Sequence, residues 1–195
     1  MTQLKLQTAS FVTESKLPWN LQQLESILKA TPPHTLTLFP EVCLSGFCYD
    51  RMEEAAAFAP EAKERLLTLS RSHPLGLSLI ERESEGYVNR FYWMAEGAII
   101  HTQRKHKLFP LGDEDRHFQA GSPEEVEVFA SLGMKMACLV CFEMRFTELW
   151  QQVRGADLIL VPAMWGRERL DHFQTLARAL AIANQCYVIA TNSEG

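Results

Sequence analysis

The feature that most constrains this chain is a short β-rich run, Thr35-Leu36-Thr37-Leu38-Phe39, that meets a proline and then at once a glutamate. Pro40 has no N–H to give to a sheet ladder, so the strand has to stop and Glu41 lies just past its end. A second apolar run, residues 135–140, predicts a strand that delivers Cys141 in the same way. Around these two, the periodicity alternates. Strands are predicted over 3–8, 75–80, 87–94, 98–103, 126–129, 157–161 and 186–191, with the Ala95-Glu96-Gly97 turn making two of them antiparallel neighbours. Helices are predicted over 18–30, with Leu21, Leu24, Ile27 and Leu28 on one face, then over 60–70 and 146–154. A longer helix over 167–183 carries the stripe Leu170, Phe173, Leu176 and Leu180. A loop rich in Gly, Pro, Asp and His fills 108–124. Strands alternating with helices imply an α/β sandwich, and no repeat or linker divides the 195 residues, so one domain over 1–195 is expected.

Charge narrows the possible partners. The 24 acidic residues outnumber 19 Lys and Arg, for a net charge of −5, and the basic residues are scattered, which disfavours nucleic acid. Apolar runs such as 158–165 fall far short of the roughly 18 to 20 residues of a membrane span. Residues 1–11 alternate and show no secretory signal, so the expected location is the cytoplasm. Five cysteines, an odd count, fit reduced thiols there. Reading Cys43, Cys48, Cys138 and Cys141 as zinc ligands is disfavoured, because the first spacing is four residues and the pairs stand about 90 residues apart.

Three places combine a reactive side chain with a strand end, where α/β architectures tend to put their sites. They are Glu41, the pair Lys105 and Lys107, and Cys141. Alone, each has a blander reading: a capping acid, a solvated surface charge, an inert core thiol. Together, Phe39-Pro40-Glu41, Arg104-Lys105-His106-Lys107-Leu108-Phe109 and Cys141-Phe142-Glu143-Met144-Arg145-Phe146 occur in an order and spacing that resembles the nitrilase superfamily of carbon–nitrogen hydrolases. The resemblance implies an αββα sandwich with two mixed β-sheets between helical layers. It also implies Glu41, Lys105 and Cys141 as a catalytic triad, with Glu114 as a second, supporting glutamate. Asn20, Asn89, Gly46 and the Pro162-Ala163-Met164-Trp165 loop extend it along nearly the whole chain.

The residue types permit the implied chemistry. A thiol of ordinary pKa, about 8.5, needs a base or cation to become a strong nucleophile, and Glu41 would be that base. Lys105 and the backbone N–H of Phe142 would stabilise the oxyanion of the attacked amide, so neither metal nor organic cofactor is needed. Lys107 remains open as an alternative to Lys105, since both could project to one side of an extended segment. Trp165, Phe47, Tyr49 and Phe118 are candidates to line a small-molecule pocket, with Arg145 or Arg167 to bind a carboxylate. The resemblance is strongest to ω-amidase-like members, which hydrolyse the terminal amide of short dicarboxylic monoamides. It also implies a homodimer through the helix after Cys141 and the long helix from Arg167, and a C-terminal segment beyond residue 195 that this chain lacks. An idle nitrilase-fold scaffold and an acyltransferase that passes the thioester to an amine are the alternative functions.

Overall fold

The computed structural model describes residues 5–194, so the first two residues of the expected N-terminal strand lie outside the described residues. Among the described residues nine strands form two sheets. The first contains β1 (Lys5–Thr8), β2 (Thr35–Leu38), β3 (Leu75–Glu83), β4 (Gly86–Ala95) and β5 (Ala98–Arg104) in that spatial order. Its first two pairings are parallel and its last two antiparallel. The second contains β6 (Phe129–Ser131), β7 (Met134–Cys138), β8 (Leu158–Ala163) and β9 (Tyr187–Asn192), antiparallel at β6–β7 and parallel beyond. Both sheets are therefore mixed, as the family resemblance implied.

Strand alternation sorts side chains between layers. Leu36, Leu38, Phe91 and Trp93 of the first sheet share a core with Met136, Ile159 and Val161 of the second. From the opposite face, Leu75, Leu77, Tyr92 and Met94 pack under α1 (Leu17–Ala30) and α2 (Met52–Leu69). The second sheet is covered by α4 (Thr147–Gln152) and α5 (Leu170–Asn184), through Leu149, Phe173 and Leu180. A four-residue helix, α3 (Glu114–His117), lies in the long loop between the sheets. The order of layers is helices, sheet, sheet, helices.

Three expected boundaries shift. The second helix begins eight residues earlier, at Met52, with Pro60 inside it. Its buried stripe Met52, Ala55, Ala59, Ala62, Leu66 runs unbroken through the proline, and this packing outweighs the one lost backbone bond. The strand expected at 126–129 lies instead at β6, because Val126 ends a single 3₁₀ turn that starts at Pro123. The long helix starts at Leu170, after a 3₁₀ turn over Arg167–Arg169. Among the described residues no helix is long and apolar enough to cross a membrane.

Candidate active site

Glu41 reaches the interior because the chain turns sharply just after it. Phe39 still donates to the Gly76 carbonyl at 2.8 Å, after which Val42 turns the chain with a φ of +40°. A β-branched residue with positive φ is a true outlier, held here by the bond from its N–H to the Ser78 hydroxyl (2.9 Å) and by the Gly46 N–H on its carbonyl (2.8 Å). The Glu41 side chain is wholly buried. Its Oε1 accepts from Asn89 Nδ2 at 2.8 Å and from Lys105 Nζ at 2.7 Å.

Lys105 follows the last residue of β5. Its N–H donates to the Asn89 carbonyl (2.8 Å), so one asparagine on β4 orients both Glu41 and the lysine backbone. The Lys105 carbonyl accepts from Gly121 (2.9 Å), and a Cβ at 121 would stand 2.5 Å from the Arg104 carbonyl oxygen, so only glycine lets the loop approach this closely. The Lys105 ammonium bonds a second carboxylate, Glu114 Oε1, at 2.8 Å, while Glu114 Oε2 accepts from the Phe109 amide at 3.1 Å. Burial alone would lower the Lys105 pKa, yet the facing charges, Glu41 first and then Glu114, outweigh it and hold the group as an ammonium. Burial pushes Glu114 up to about 7, with Lys105 pulling the other way.

Cys141 comes from the second sheet. After β7 ends, Leu139 still bonds the Leu160 carbonyl at 2.9 Å, and the chain then breaks into a 3₁₀ turn, Cys141–Arg145. Cys141 itself has a φ of +52°, left-handed backbone that costs a non-glycine residue about 1–2 kcal/mol. The thiol is raised well above its ordinary pKa, first by burial and then by the facing Glu41 charge, against the pull of Lys105 and the Met164 backbone amide. Glu41 Oε2, buried and accepting no other hydrogen bond among the described residues, completes the arrangement: a protonated thiol beside a carboxylate with a spare acceptor.

Of these groups Cys141 and Glu114 line a cavity of about 210 Å³, together with Phe47, Tyr49, Phe109, Phe142, Met164 and Trp165. Trp165 is clamped by Asn192 of β9, which accepts its N–H at 2.6 Å and donates to its carbonyl at 3.0 Å. The Arg145 guanidinium lies 4.6 Å from the Trp165 ring centroid and that of Arg169 lies 5.1 Å from the Phe109 ring centroid, both at the cavity wall.

The structure thus brings together Glu41, Lys105, Glu114, Cys141, Phe142, Trp165 and Arg145. It does not bring in three others. Lys107 points outward to Glu148 (3.3 Å), because β5 and the Asn89 bond fix Lys105 as the inward residue. Phe118 is buried behind Phe47 and Tyr49 instead of lining the cavity. Arg167 is exposed, since the 3₁₀ turn before α5 turns Arg169 inward in its place. Sequence reasoning missed Arg169, the Asn192 clamp and the role of Glu143. Glu143 is a fully buried acid whose only sequence signal is its place two residues after Cys141; burial pushes it up to about 7 against the pull of backbone amides.

Comparison with known proteins gives the family and the fold. The carbon-nitrogen hydrolase family model matches residues 6–195. The 2-oxoglutaramate amidase of Bacillus subtilis is 30% identical over 184 residues, covering 90% of this chain and 70% of that protein. The omega-amidase YafV of Escherichia coli K12 is 28% identical over 179 residues, covering 91% of this chain and 69% of its own. The crystal structure of XC1258 from Xanthomonas campestris, a CN-hydrolase superfamily protein, superposes with a TM-score of 0.88 at 24% identity, over 100% of this chain and 77% of that one. A sheet pair that buries a carboxylate, an ammonium and a thiol together, and a family model that runs from β1 to the C-terminal residue, lead to one assignment: the chain belongs to the carbon-nitrogen hydrolases of the nitrilase superfamily.

Proposed function

We propose that this chain hydrolyses the C–N bond of a small non-peptide amide through a thioester on Cys141, with Glu41 as the base and Lys105 as the oxyanion partner. The observation that carries the reading is that one carboxylate, Glu41, bonds the Lys105 ammonium and faces the Cys141 thiol, which itself lines an aromatic cavity.

The resting thiol is neutral, so attack has to be coupled to proton transfer. Sγ bonds the amide carbon as Glu41 takes the thiol proton, and the carbonyl electron pair moves onto oxygen. In the same event Glu41 loses its charge. The Lys105 ammonium, until then engaged by Glu41, turns its attraction to the developing oxyanion, joined by the backbone N–H of Phe142. One such donor contributes about 3 kcal/mol to the transition state. The proton on Glu41 then passes to the nitrogen, the C–N bond breaks and ammonia leaves. Water attacks the thioester with Glu41 again taking a proton; the C–S bond breaks as that proton returns to sulfur, and the product acid gives its own proton to solvent and leaves as a carboxylate.

For the substrate, the named activities of the two relatives and the cationic wall favour a short dicarboxylic monoamide, whose free carboxylate would meet Arg145 and Arg169. Neither guanidinium is spent on a strong ion pair among the described residues: Arg145 has only His172 Nδ1 at 3.5 Å, and Arg169 only the exposed Glu168 at 3.3 Å. In the same reading the chain is one domain and works as a homodimer through α4 and α5, which a sedimentation mass checks.

The test is ammonia release from succinamate-like and 2-oxoglutaramate-like compounds, with neutral amides of equal length beside them, for the wild type and Cys141→Ala. Turnover of the carboxylated amides that vanishes in the variant is expected. A folded wild type that releases no ammonia from any of them would sink the proposal, and equal rates on neutral amides would sink the carboxylate preference.

A further inference from the structure

One buried acid beside this site has no part in the chemistry above. Glu143 lies two residues after Cys141 and is wholly buried, yet no Lys, Arg or His side chain pairs with it among the described residues. Its carboxylate is held by backbone amides alone. Oε2 accepts from Val140 at 2.6 Å, and Oε1 from His106 at 2.6 Å and more loosely from Lys107 at 3.4 Å. Its own N–H donates to the Val140 carbonyl (3.0 Å), and its carbonyl accepts from Phe146 (3.0 Å), so it also carries the backbone of the 3₁₀ turn.

The donors come from two different places. Val140 precedes Cys141 and belongs to the segment leaving β7; His106 and Lys107 come after Lys105 and belong to the segment leaving β5. One carboxylate therefore ties the strained thiol turn of the second sheet to the lysine segment of the first. Among the described residues, the side-chain bond between β5 and β7 themselves, from Gln103 Nε2 to the Cys138 carbonyl, is long at 3.4 Å. Because both ends are N–H donors, the linking group has to be an acceptor on both oxygens. A glutamine of the same shape would turn an NH₂ group onto one of them.

We propose that Glu143 is a positioning residue: by accepting the Val140 and His106 amides together, it sets the Lys105 ammonium against the Cys141 thiol across the two sheets. The inference rests on the roles given to Cys141 and Lys105 above, so its test includes a readout that needs no turnover.

Two variants of the full chain, Glu143→Gln and Glu143→Asp, are compared with the wild type for the rate of Cys141 alkylation by iodoacetamide. Stoichiometry is read by intact mass, and Cys141→Ala corrects for the other thiols. Ammonia release per titrated Cys141 is measured beside it. Misplacement by about 1 Å costs reacting groups about 100-fold, so the Gln variant should label to one equivalent about 100-fold more slowly. Its kcat per titrated site should fall by a similar factor, with KM within about threefold. The Asp variant, shorter but an acceptor on both oxygens, should recover about tenfold of the loss. A folded Gln variant whose alkylation and kcat per site stay within about threefold of wild type overturns the proposal. Equal losses in Gln and Asp overturn it too, since shape and not the double acceptor would then be at work. If the Gln variant does not fold, the Asp variant decides: alkylation slowed by about tenfold in a stable protein supports the role, and an unchanged rate overturns it. Glu143-dependent alkylation in a wild type that hydrolyses no amide would remove the amidase reading and leave the positioning role standing.

Discussion

The five-stranded sheet holds Glu41 and Lys105 in the site by charge, whereas the four-stranded sheet brings Cys141 to them by backbone. On the first side the groups hold one another: an ammonium with no exposed surface lies between two carboxylates at 2.7 and 2.8 Å. On the second side the thiol is aimed by backbone: a left-handed residue at the head of a single 3₁₀ turn points it across to Glu41 of the first sheet. The difference predicts where function and stability coincide and where they oppose each other. A buried ion cluster collapses when one member is removed, because the others are left as bare buried charges. A strained turn relaxes when the residue that bears the strain is replaced by glycine.

The largest effect should come from Lys105→Met. It leaves Glu41 and Glu114 facing each other without their cation, at a cost of about 3–5 kcal/mol, and lowers ammonia release by about 10⁴-fold. Cys141→Gly should abolish turnover as fully, yet leave stability within about 1 kcal/mol of wild type, as relief of the backbone offsets the lost packing of the thiol. Denaturant unfolding of the two variants measures the contrast, and equal stability losses would break it.

The same asymmetry explains what could be read without a structure. The charged half was visible because its residues are chemically conspicuous: a glutamate behind a strand-ending proline, and lysines just past a strand. Even there, the choice between Lys105 and Lys107 needed the ladder of β4 and β5 and the Asn89 carbonyl, which are long-range facts. Cys141 was visible as the end of an apolar run, but its +52° backbone, and that of Val42, were not, since neither residue type announces positive φ. Arg169 was missed for a local reason. The sequence offers Arg167 as a cation, but Arg167 and Arg169 share the one 3₁₀ turn before α5, which leaves Arg167 exposed and sets Arg169 at the cavity wall. Glu143 was hidden because an acid near a helix start has an ordinary reading as a solvated group, and only its burial contradicts this.

A smaller effect sharpens the charged side of the comparison. Glu114 has an ordinary pKa of 4.5 raised to about 7 by burial, so between those values the folded chain keeps a proton that the unfolded chain has shed. Its contribution to stability is therefore fully present below pH 4.5 and declines as pH rises to about 7, with a slope of at most about 1.4 kcal/mol per pH unit. Glu114→Gln should lack that slope. Glu143, also raised to about 7, is present in both proteins, so subtracting one unfolding free energy from the other across this range isolates Glu114. Parallel curves would mean that the carboxylate stays ionised throughout and that Lys105 fully compensates both of its partners.

The smallest effect should come from the residue nearest in sequence and type to the most sensitive one. Lys107 carries the same charge as Lys105 two positions on, but its ammonium meets a Glu148 side chain that is 61% exposed, and lies 4.8 Å from the Phe146 ring centroid at the surface. Water and salt screen such a pair, and the side chain loses rotamer freedom to hold it. The backbone N–H of Lys107 that reaches Glu143 survives in an alanine. Lys107→Ala should therefore leave the melting temperature within about 2 °C and kcat/KM within about twofold. Set beside Lys105→Met, this pair removes one positive charge from the same segment in each case, so net charge cannot account for any difference between them. What remains is burial and the two carboxylates that only Lys105 touches. A Lys107 variant as damaging as the Lys105 variant would show that the segment, and not the ion cluster, is the sensitive element.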